Sequence, residues 1–169
     1  LNQAFINKQE AEAEAVTASN LEEQAKNAAE AAAAAVVTAE NAKTDIASAE
    51  AISLAKIEAE KACEAAHNAL DALNAAKTYR DAVITHSSGI TDPTDQNTAA
   101  GYIDDANTAV SNAQISADNA QRYCDEAQAY AVAVVNAKYK RIKRMPKKPD
   151  TMTQGNPFSL GRKSFTLAF

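Results

Sequence analysis

The sequence predicts an all-α protein: a long antiparallel helical hairpin, built as an alanine-rich coiled coil and followed by an extended C-terminal tail. Three observations predict it. Neither Gly nor Pro occurs between Ala4 and Ile84. The hydrophobic fraction of 46% is mostly alanine, the strongest helix former, with Glu, Lys, Gln and Leu ranking close behind. Small apolar residues recur at spacings of three and four along most of the chain, the pattern of an a/d heptad seam. Alanine buries little area, and burial stabilises by roughly 25 cal/mol per Å². With no Trp, four Phe and five Tyr in 169 residues, the sequence favours long surfaces lying close together over a core of bulky side chains.

Residues 1–18 read as an N-terminal arm, because Ser19-Asn20-Leu21-Glu22 resembles a capping box; the alternative is that Ser19 faces solvent within one continuous helix. The first long helix then spans about 19–86. Its stripe runs through Ala25, Ala28, Ala32, Ala35, Ala39, Ala42 and Ile46. The phase slips by one residue through Ile52 and Ala55 and resumes at Ala59, continuing through Ala66 and Leu73. A slip of this kind alters the winding of a supercoil without ending the helix.

A turn is expected over 87–92, where Ser87-Ser88-Gly89 supplies the residue type preferred just past a helix C-terminus. The second helix, about 93–144, starts with Asp92 as cap, Pro93 in the first position and Asp95 at the positive end of the dipole. Its seam includes Ile103, Val110, Ala117, Cys124 and Val134, and Pro146 ends it. A connection this short makes neighbours antiparallel. At 1.5 Å per residue the first helix would extend roughly 120 Å if it ran unbroken from about Ala4 to Thr85, well beyond the reach of the second. The stripe from Ala18 to Ala42 would then have no partner within the hairpin. A second copy of the chain or another helical protein would cover it, unless the chain folds back at Ser19 or leaves the stripe solvated.

Residues 145–169 form the expected extended tail. The segment 138–169 carries nine basic residues and one acid, a charge of +8, against −13 for the rest of the chain. Such asymmetry marks an interaction. Phe165, Leu167 and Phe169 alternate with smaller residues, a strand-like period that can add to a sheet edge or fill apolar pockets. Together with Arg141, Arg144, Phe158 and Leu160 they are the candidate partner-docking residues. The basic cluster 138–148 could instead contact nucleic-acid phosphates, although it lies in no fold or motif for reading bases.

No Gly-rich phosphate loop, paired metal motif or nucleophile elbow is present, so neither an enzyme nor a cofactor is expected. No apolar run approaches the ~20 residues of a membrane span. Cys63 and His67 share a helix face, and the hairpin brings Cys124 to the level of Cys63. A metal site there would need a further ligand of matching kind. A disulfide would need an oxidising compartment. The plainer reading makes Cys124 a small core residue at an alanine position and His67 a solvated one.

The run from Ala25 to Ala76, with its Ala-Ala-Glu, Thr-Ala-Glu-Asn-Ala-Lys-Thr and Ala-Ser-Ala-Glu phrases, resembles the alanine-rich coiled-coil segments of tailed-bacteriophage fibres and internal virion proteins. The ending Gly161-Arg162-Lys163-Ser164-Phe165-Thr166-Leu167 looks like those of some small podophage structural proteins. The resemblance is compositional and covers about a third of the chain. It implies a structural protein localised in the virion, either in the tail or among internal proteins released with DNA. The uncovered stripe and the basic, aromatic-ended tail add the expectation that the rod self-associates and the tail anchors it to other proteins. It brings no catalytic residues. A nucleic-acid-associated protein and a soluble cellular scaffold or stalk are the alternative expectations.

Overall fold

The computed structural model describes residues 1–144, and only the backbone of residues 140–144. The described chain forms three α-helices: α1 (Asn2–Asn41), α2 (Asp45–Ser87) and α3 (Pro93–Arg144). Each packs against both others. Cross-helix contacts fix their directions. Lys8 pairs with Asp105, and Asn119 donates to Glu22, so α1 and α3 run the same way. Lys77 reaches Gln114, and Cys63 is bonded to Cys124, so α2 runs against α3.

The continuous helix expected over 19–86 is therefore corrected to two helices, and the two-helix hairpin to a three-helix bundle. The chain reverses at Ala42–Thr44 without Gly or Pro. Ala42 is extended (φ −63°, ψ 125°). Thr44 caps α2, its side-chain oxygen accepting the Ala47 N–H at 3.2 Å, and Asp45 sits in the first turn, at the positive end of the dipole. The reason for the break lies in the seam. Ala39 and Ser48 are both fully buried. On one continuous helix, at about 100° per residue, they would lie on opposite faces. One straight helix cannot press both on the same neighbours, whereas two helices joined by a reversal can.

The expected N-terminal arm is not separate. α1 passes through Ser19, which is exposed, and Ala4, Ala11, Ala18, Ala25, Ala32 and Ala39 are fully buried at seven-residue intervals. The same interval links Ser48, Ala55, Ala62, Ala69, Ala76 and Val83 in α2, and Ala99, Ala106, Ala113, Ala120, Ala127 and Val134 in α3. These series meet in layers. Ala4 and Ala11 pack with Val83 and Ala106 at one end, and Ala39 packs with Ala55 and Val134 at the other. The stripe from Ala18 to Ala42, expected to lie bare, is thus largely covered within the chain, because the fold-back lets α2 and α3 both pack on α1.

The turn between α2 and α3 falls where the sequence placed it, and Asp92 caps α3, its Oδ1 accepting the N–H groups of Thr94 (2.9 Å) and Asp95 (3.1 Å). Gly89 does not take the left-handed conformation. The α2 end is closed by the Ser88 N–H donating to the Ile84 carbonyl, and the Gln96 amide donates to the Ile90 carbonyl.

Candidate docking surfaces

Alanine layers let the three helices approach closely and leave little enclosed space. A surface groove of about 540 Å³ lies between α1 and α3. Ala15, Val16, Ser19, Thr108, Ile115 and Ser116 are among the residues that line it. Among the described residues no group of three or more His, Cys, Asp or Glu side chains is placed to hold a metal ion, and no helix is long and apolar enough to cross a membrane.

Of the side chains assigned to helix packing, Ala25, Ala28, Ala32, Ala35, Ala39, Ala66, Leu73, Ala117, Cys124 and Val134 are buried, and Ile103 and Val110 are half-buried against the same core. Two others fall at the reversal. Ala42 is the C-cap of α1 and half-buried. Ile46 is corrected outright: it is 73% exposed. The seam of α1, continued by seven residues from Ala39, would bury Ile46. Because α2 starts a new phase with Ser48, Ile46 points outward instead.

The Cys63–Cys124 disulfide joins α2 to α3 with Cα atoms 4.5 Å apart. Cys124 is buried in the core, as the plainer sequence reading had it, and it is also bridged. The alanines around both cysteines make this possible, since bulkier neighbours would hold the backbones too far apart to be bridged. The Gln128 amide donates to Cys63 Sγ at 3.2 Å. His67 is exposed and lies 3.8 Å from Asp71 on its own helix.

Charged groups tie the helices along their edges. The Lys8 ammonium lies 2.9 Å from Glu12 and 3.3 Å from Asp105. The hydrogen bond to Glu12, and after it that to Asp105, holds Lys8 above the ordinary lysine value despite the opposing effect of burial. Phe5 packs on Tyr102 with ring centroids 5.4 Å apart, and the Arg122 guanidinium lies 4.3 Å from the centre of the Tyr123 ring. Tyr123, and after it Glu126, raises Arg122 above its ordinary value.

The predicted docking residues are not brought together by any described contact. Arg141 and Arg144 fall in the last turns of α3, but their side chains lie outside the described residues. Phe158, Leu160, Phe165, Leu167 and Phe169, with the whole tail 145–169, lie outside them as well. The surface that sequence reasoning missed is the outward side of the bundle next to the start of that tail. Val37, Ile46, Val132 and Tyr139 are exposed there. The signal was present in the sequence as bulky residues two positions before the core residues Ala39, Ser48 and Val134, but it needed the reversal at Ala42–Thr44 to become visible.

No protein-family model, curated protein or solved structure matches this chain at a significant level.

Proposed function

We propose that this chain is a non-enzymatic structural protein, a component of a virion of the tailed-bacteriophage kind, whose helical rod serves as a spacer and whose C-terminal tail anchors it to a larger protein. The observation that carries the reading is the division of the chain. A rod of repeating alanine layers, with a net charge of −13 up to residue 137, continues into a +8 segment that ends in aromatic residues. A rod with small core residues throughout is suited to holding two things apart, and a segment of opposite charge with bulky apolar side chains is suited to holding on. The heptad spacing of the layers fits a short three-stranded coiled coil. Self-association through the α1 stripe has lost its motive, because α2 and α3 occupy that stripe. Docking therefore falls to the tail, with Arg141, Arg144, Phe158, Leu160, Phe165, Leu167 and Phe169 as its contacts. The disulfide suits a protein that lives or assembles where thiols are oxidised.

Deleting 157–169 tests the anchor. Incorporation of the truncated chain into its particle is expected to be lost while its circular dichroism is retained. Undiminished incorporation would refute the reading. The basic cluster 138–148 favours one second reading, association with nucleic acid. In that case DNA binding by the full chain falls steeply with ionic strength. Absence of binding at low salt removes this alternative.

A further inference from the structure

On a helix a residue two positions before a core residue is turned away from it by about 200° and faces solvent. Along most of the rod this outward position is polar. Glu23, Glu30, Glu60, Asp104, Asp118 and Asp125 all occupy it, and Val16 is the apolar exception. At one end the pattern inverts on all three helices at once. The residues two positions before Ala39, Ser48 and Val134 are Val37, Ile46 and Val132, which are 57%, 73% and 63% exposed. Val37 lies near the end of α1, Ile46 in the first turn of α2, and Val132 beside the packed group of Ala39, Ala55 and Val134. Tyr139, one heptad after Val132, continues the band and is 61% exposed. The band thus faces outward in three directions, at the end where α3 leads into the basic segment.

We propose that this apolar collar is the wall contact of an end-on interface, in which the rod is inserted, tail end first, into a socket of a different protein. The socket would have an apolar wall and an acidic floor. The divergence of the three faces selects this occupant. A second copy lying alongside would cover one face and leave the others in water, whereas an enclosing wall covers all three. Charge selects the floor. Lys138, Lys140, Arg141, Lys143 and Arg144 follow the collar towards the end of α3 and are drawn to an acidic floor, whereas the acidic flank of the rod is repelled by it, which orients the rod. This inference rests on the anchoring role proposed above and adds the described end of the bundle to it.

Site-specific photocrosslinking in the particle tests it. Val37→p-benzoylphenylalanine, and the same replacement at Ile46 and at Val132, are made one at a time in the full chain. Gln9, Asn74 and Ser111, which hold the outward position away from the collar, serve as controls. All three collar positions are expected to give an adduct with one and the same foreign polypeptide, and the controls none. A triple variant, V37E/I46E/V132E, is expected to lower incorporation at least tenfold with unchanged helicity, since all three side chains are exposed. Adducts between two copies of this chain, adducts from only one collar position, no adducts, or binding of the intact chain to phosphatidylserine-containing vesicles that is lost in the triple variant would each overturn the socket. If the 157–169 deletion abolishes incorporation while the collar gives no adduct, the tail anchor stands and the collar falls. If the deletion has no effect, the anchor falls by itself.

Discussion

Reducing the Cys63–Cys124 bond is expected to lower the stability of the bundle without unfolding it at room temperature. The two cysteines are 61 residues apart. Closing a loop of that size restricts the unfolded chain by an amount between those for 15-residue and 100-residue loops, which gives about 4 kcal/mol on the chain-entropy model. For a chain of this length each kcal/mol moves the melting midpoint by roughly 2–4 °C, so reduction should lower it by about 10 °C. Ellipticity at 222 nm, followed on heating with and without a phosphine reductant, measures the shift. The double variant C63A/C124A should melt with the reduced protein and be insensitive to reductant, because alanine suits both helices and leaves the layers on either side unchanged. Equal midpoints for oxidised and reduced protein, with the bond confirmed by mass, would refute the reasoning. They would mean that the unfolded ensemble already keeps α2 and α3 together.

Three further substitutions or conditions probe the layers and edges. Ser48→Ala should stabilise by about 1 kcal/mol on chemical denaturation, because the Ser48 hydroxyl is fully buried and has no hydrogen-bond partner among the described residues. Ala69→Leu should destabilise by about 1–3 kcal/mol, since the fully buried methyl leaves no room for a larger side chain where three helices meet; an unchanged midpoint would show that the layer can expand. Lys8 has a raised pKa in the fold. Its contribution is therefore complete at neutral pH and is lost as the pH rises past the ordinary lysine value of about 10.4 and through the higher folded one. Lys8→Met should flatten that alkaline limb of the stability profile.

The helical nature of the chain could be read from alanine content and from the absence of Gly and Pro before Ile84. The second turn could also be read, because Asp92-Pro93 carries its own cap. The first reversal was harder to read. Its chemistry is a single threonine, Thr44, followed by Asp45, and such pairs also occur within helices. The stronger sign was the shift of stripe phase around Ile46–Ala55, which fits either a local change of winding or a fold-back. Local spacing alone does not separate these, because the choice depends on whether α1 finds partners in α2 and α3. Cys63–Cys124 was legible as a matter of level along the helices. Whether the two backbones approach closely enough depends on every alanine around them. The exposed collar was hidden for the same reason as the reversal: Ile46 reads as seam until α2 is given its own phase.

Layers of nearly identical residues repeating every seven positions measure length well but mark location poorly. Sliding one helix by a full repeat puts alanine opposite alanine again, so the interior offers little resistance to assembly one step out of place. Its distinctive marks sense such an error, among them Leu73, Val83 and Val134 in the core, the Phe5–Tyr102 pair at one edge, and the two sulfur atoms. A shifted α2 would separate Cys63 from Cys124 by about 10 Å, the rise of seven residues. Formation of the bond therefore requires the helices to be in step, and a chain shifted by one repeat is left unsealed.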